Sequence, residues 1–125
     1  LQINNAMLIR DIQDCAVIIA GDRTVLREIL HPEKDAVSLG FSLAHAAVLP
    51  GESSLPHRLK SSEVYYILSG EGNMYINEAS HLVRSGQTVY IPPDAVQWIR
   101  NTGTEELSFL CIVDPAWRPK DEKIL

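Results

Sequence analysis

From residue 51 to residue 101, every apolar run is soon cut by a glycine, a proline or a polar turn. Residues 63–69 are β-branched and aromatic and break at Gly70-Glu71-Gly72. Asn73-Met74-Tyr75-Ile76-Asn77 alternates polar and apolar, the period-two pattern of a half-buried strand. Ser85-Gly86 turns the chain into residues 88–91, and Pro92-Pro93-Asp94 then forbids further ladder pairing and forces a corner. Upstream, residues 41–49 form an apolar run with Ser42 and His45 inside it, closed by Pro50-Gly51. Downstream, residues 96–100 and 107–113 flank the turn Asn101-Thr102-Gly103-Thr104. At least seven short strands at regular spacing, with little helix between them, define an all-β sandwich or closed barrel.

The flanks are less constrained. Met7-Leu8-Ile9 and Ala16-Val17-Ile18-Ile19 read as short extended segments, and Gly21-Asp22 as a turn. Val25, Leu26, Ile29 and Leu30 recur at helical spacing with Thr24 as a cap, so a short helix is expected, with a strand as its rival. His31-Pro32 ends that element, and His31 and His81, beside turns, are expected at the surface. Trp117, bracketed by Pro115 and Pro119, is expected to pack across the sheet or onto another subunit without adding a strand.

At 125 residues the chain fits one domain, residues 1–125, with a core barrel over about 37–114, a short N-terminal extension and a C-terminal tail. A net charge of −5 with scattered single cations argues against nucleic-acid and anionic-membrane partners. Cys15 and Cys111 belong to no Cys-x-x-Cys unit, and Cys111 lies in an apolar run where a buried thiol is expected. No apolar run approaches membrane-spanning length and no signal-type core opens the chain, so the expected compartment is the cytoplasm.

Two blocks within residues 51–101 carry a family pattern. Gly51, His57, Glu63 and Gly70 fall at the spacings of the first cupin motif, with Leu59 in place of its second histidine. Gly86, Pro92 and Asn101 match the second motif, with Asp94 replacing its glycine and Gln97 its histidine. The chain therefore resembles the cupin superfamily, whose fold is a small jelly-roll barrel, the double-stranded β-helix. The resemblance implies a divalent transition metal, Fe, Mn, Ni or Zn, held here by His57, Glu63 and Gln97. It also implies a homodimer, which an open sheet edge and the Trp117 tail would favour.

The candidate ligand-binding residues are His45, His57, Gln97, Tyr65 and Tyr75, and the candidate catalytic residues are Glu63 and Tyr65. His45 would replace the donor missing at Leu59 if it pointed inward, but both faces of its strand are nearly apolar. Tyr65 shares a strand face with Glu63, where its hydroxyl would bind or protonate a substrate oxygen. Tyr75 and Trp98 would supply aromatic walls. Two functions follow. One is a metal-dependent oxygenase or isomerase acting on a sugar or keto acid, and the other is a non-enzymatic module that binds or senses a small molecule without tightly bound metal.

Overall fold

The computed structural model describes residues 7–125, and the first six residues of the N-terminal extension lie outside the described residues. Its strands are β1 (Ile18–Ile19), β2 (Val25–Leu30), β3 (Ser42–Val48), β4 (His57–Leu59), β5 (Ser62–Ser69) and β6 (Glu71–Ile76). They continue as β7 (Ala79–Arg84), β8 (Thr88–Ile91), β9 (Gln97–Asn101), β10 (Leu107–Asp114) and β11 (Glu122–Ile124). They form two antiparallel sheets, ordered β1-β2-β3-β10-β5-β8 and β11-β4-β9-β6-β7. This is the all-β, two-sheet architecture that the strand spacing implies, in the jelly-roll form that the family resemblance implies.

The core lies between the sheets. Ile67 of β5, Ile99 of β9, and Leu107 and Phe109 of β10 have no exposed surface. Each contributes about 1.5–3 kcal/mol by leaving water. Strand alternation puts Glu63 and Tyr65 on the same inward face as Ile67, and Gln97 and Asn101 with Ile99. Burial of that face is what carries these polar side chains into the interior.

The turns explain the motif glycines. Gly70 has φ +81°, and a Cβ there would stand 2.7 Å from the Glu106 carbonyl oxygen, so no other residue fits. Asp94, where the family pattern has glycine, keeps the left-handed backbone at φ +64° while its N–H donates to the Leu59 carbonyl at 2.8 Å. Asn101 is a structural residue. Its amide donates to the Val48 and Glu105 carbonyls at 2.8 Å each and accepts from the Gly103 N–H at 2.9 Å.

Three expectations are corrected. Residues 25–30 form a strand, because Val25 and Leu26 pair with Ala47 and Ala46 of β3, and a bulge between Glu28 and Leu30 produces the helix-like spacing. His31 is buried, with its Nε2 at 2.7 Å from the Trp117 carbonyl and its Nδ1 accepting from the Glu33 N–H. The tail does add a strand, since β11 pairs with β4 through Glu122 and Leu59. Trp117 packs on its own barrel, its N–H donating to Ser42 Oγ at 2.9 Å.

Candidate functional site

A chain of hydrogen bonds crosses from one sheet to the other. Tyr65 Oη on β5 donates to Gln97 Oε1 on β9 at 3.1 Å, and Gln97 Nε2 donates back to Glu63 Oε1 on β5 at 3.0 Å. Burial raises the Glu63 carboxyl to about 8 against the opposing effect of the Gln97 amide, and the nearby Asp22 and Glu122 carboxylates push it the same way. The site therefore holds a neutral carboxylic acid at neutral pH. Burial, and above the Glu63 titration its carboxylate, also raise the Tyr65 phenol and the Cys111 thiol well above their usual values.

His57 enters from β4, in register with Gln97 of β9. Its Nδ1 lies 2.7 Å from the Leu55 carbonyl, which can only accept, so the proton sits on Nδ1. In the neutral tautomer this fixes, Nε2 carries the lone pair, 3.7 Å from Asp22 Oδ2. Asp22 reaches this place because its other oxygen anchors the turn before β2, accepting from the Thr24 N–H at 3.1 Å and the Thr24 hydroxyl at 2.8 Å. Glu122 of β11 arrives from the opposite end of the chain, with its Oε2 accepting from Trp117 Nε1 at 3.3 Å.

Asp22, His57, Glu63, Tyr65 and Glu122 line a cavity of about 270 Å³ whose apolar walls include Leu26, Ala44, Ala46 and Phe109, and the buried Gln97 holds Glu63 and Tyr65 from behind without lining it. Leu59 and Cys111 also line it. The structure thus brings together His57, Glu63, Gln97 and Tyr65. It does not bring in His45 or Tyr75. Ala44, Ala46 and Val48 are the β3 residues that pack on the core, and His45, between the two alanines, pairs with Leu110 and Arg27 on the other face. Tyr75 likewise points away from Met74 and the core and stacks on Trp98 with ring centroids 4.5 Å apart. Trp98 therefore forms no wall of the cavity either. Asp22 and Glu122 escaped sequence reasoning: an Asp-x-Thr turn was legible, but its position over the barrel was not.

The residues present do not make a metal site of the kind the family resemblance implies. The Gln97 oxygen accepts from Tyr65 and its amide nitrogen donates to Glu63, so Gln97 is held in the relay and does not line the cavity as a ligand would. Leu59 offers none. Among the described residues, no three His, Cys, Asp or Glu side chains are grouped so as to hold a metal ion.

A double-sheet barrel with an inward His57, Glu63 and Gln97 defines a class, and comparison with known proteins identifies it. The cupin domain pattern matches residues 44–113, and the chain belongs to the cupin family. It is 38% identical over 110 residues to an uncharacterized protein of Methanocaldococcus jannaschii, covering 86% of each chain. The polyketide cyclase RemF from Streptomyces resistomycificus superposes with a TM-score of 0.80 at 18% identity, over 96% of this chain and 86% of that one. A predicted oxalate decarboxylase from Thermotoga maritima gives 0.75 at 24% identity, over 87% and 99%. These two structures share the fold.

Proposed function

We propose that this cupin binds a small organic molecule between its sheets without a resident metal. The Tyr65–Gln97–Glu63 relay carries the reading. It engages the amide that would otherwise be a third metal donor, and it leaves Glu63 Oε2 and His57 Nε2 directed to a ligand. Apolar walls hold the body of the molecule, and these two atoms orient its polar end. Tyr65 is a positioning residue, fixing Gln97 and through it Glu63. The test is elemental analysis of tag-free protein purified without chelator. The expected result is well below one Fe, Mn, Ni or Zn per chain; one ion per chain, lost in His57→Ala, overturns the reading.

A proton-transfer isomerase is the second reading, favoured by a neutral carboxyl and an imidazole, its Nδ1 held by the Leu55 carbonyl and its Nε2 free, lining one cavity. The oxygenase reading has no support from this donor set. We place the protein in the cytoplasm, a reading supported by its two free cysteines, and we infer a homodimer. The outer face of the six-stranded sheet exposes Tyr66, Leu68 and Tyr90, an apolar surface that a second copy would cover. Light scattering on the eluting protein should give twice the 13.9 kDa chain mass. A single-chain mass at micromolar concentration removes the dimer.

A further inference from the structure

The strong hydrogen-bond donors around the cavity are already engaged. The Thr24 hydroxyl goes to Asp22 Oδ1, the Tyr65 hydroxyl to Gln97, Trp117 Nε1 to Glu122 Oε2, and Lys34 Nζ to Glu28 at 2.7 Å. The acceptors are not. His57 Nε2 carries a lone pair and makes no hydrogen bond among the described residues, although the ring is 97% buried at 3% exposure. Asp22 Oδ2, 3.7 Å away, is too far for a direct bond and within reach of the same donor. Glu63 Oε2 is unpartnered too but carries the acid proton, since Oε1 accepts from Gln97, and Glu122 lines the same hollow. Only the Ser42 hydroxyl and the Cys111 thiol remain as neutral donors from side chains of the protein's own walls, apart from the Glu63 acid proton.

Resting on the reading of the cavity as a ligand site, we propose that its occupant is an organic amine. The ammonium N–H groups donate to His57 Nε2 and Asp22 Oδ2, and an apolar body lies along Ala44, Ala46 and Phe109. The match is one of charge as well as of donors. An ammonium meets two carboxyl groups drawn from opposite ends of the chain, Asp22 and Glu122, beside the neutral acid of Glu63. A ligand carboxylate would be brought against the same groups, and the one cation lining the cavity among the described residues, the exposed Lys34, already pairs with Glu28. A keto acid is therefore the wrong class for this cavity. An unpartnered nitrogen open to the cavity, on an imidazole ring that is otherwise buried, distinguishes the arrangement from a solvated acidic cluster.

Calorimetric titration of the tag-free chain at pH 7 tests this with three bodies, butyl, phenylethyl and indolylethyl, each as amine, alcohol and carboxylate. At least one amine should bind about tenfold or more tighter than its alcohol and carboxylate counterparts. Glu122→Gln and Asp22→Asn should each weaken that amine severalfold, with circular dichroism confirming the fold. Glu122→Gln keeps the test open if the Asp22 turn fails to form. An alcohol or carboxylate that binds as well as its amine overturns the ammonium assignment and leaves the ligand site standing. An amine affinity unchanged in both folded variants also overturns it. No binding by any of the compounds sinks both readings.

Discussion

Two hollows lie against the inner faces of the sheets, and the smaller one holds the chemistry. The His57–Glu63 cavity measures about 270 Å³, whereas the groove between β6, β7 and β8 measures about 540 Å³. The groove is lined by Met74, Ile76, Val83 and Val89, and its only ionisable side chains are His81 and Tyr90, both exposed. The cavity instead holds Asp22, His57 and Glu63, all buried. Volume alone therefore says little about function. Ionisable groups kept away from water raise the free energy of the empty fold, and they mark the place where a partner can lower it.

The largest expected effect tests that cost directly. Glu63 takes up its proton near pH 8 in the fold but near 4.5 when unfolded. Between those values the folded chain holds one more proton than the unfolded chain, so stability falls as pH rises and levels off above 8. The full loss is about 5 kcal/mol at most. Denaturant titrations from pH 4 to 9 should show the decline in the wild type and a flatter profile in Glu63→Gln, which preserves the bond from Gln97. The same slope in both proteins would mean that this carboxyl is not the group responsible, and the contrast between the two hollows would lose its main energetic support.

The next effect isolates the relay. Gln97→Leu leaves the Tyr65 hydroxyl without its acceptor and Glu63 Oε1 without its donor, both in the interior. The expected cost is roughly 3 kcal/mol, against about 1 kcal/mol for Tyr65→Phe, which removes one end only. Chemical denaturation reads both. Equal costs for the two variants would show that Gln97 is not the centre of the network.

Much of the barrel was legible because its cues are local. Gly70 sits where backbone crowding admits no Cβ, and Asn101 lies at a turn whose carbonyls it caps; both positions are recoverable from spacing. The inward direction of Glu63 and Tyr65 follows from alternation beside Ile67. His45 was illegible for the opposite reason. Its strand lies between β2 and β10 and is apolar on both faces, so alternation gave no sign of which face was inside. Asp22 and Glu122 are 100 residues apart by their numbers, and only the tertiary closure of the β1–β2 turn against β11 brings them to one cavity. The family pattern spans neither of them, so it pointed to a metal site while the residues that change its chemistry lay outside.

The smallest expected effect belongs to the groove. Leu82 is 68% exposed on its rim and contributes little to the buried core, so Leu82→Ser should change unfolding free energy by less than about 0.5 kcal/mol. Binding in the His57 cavity should not change, because β7 pairs only with β6 and supplies no wall to that site. Light scattering of the variant beside the wild type sharpens the contrast. If Leu82→Ser lowers the assembled mass, the groove rim is buried in the dimer, and its apolar surface has an occupant in a second copy. If mass, stability and binding all hold, the groove is a gap between two sheet edges, and the distinction between the hollows rests on their buried charges alone.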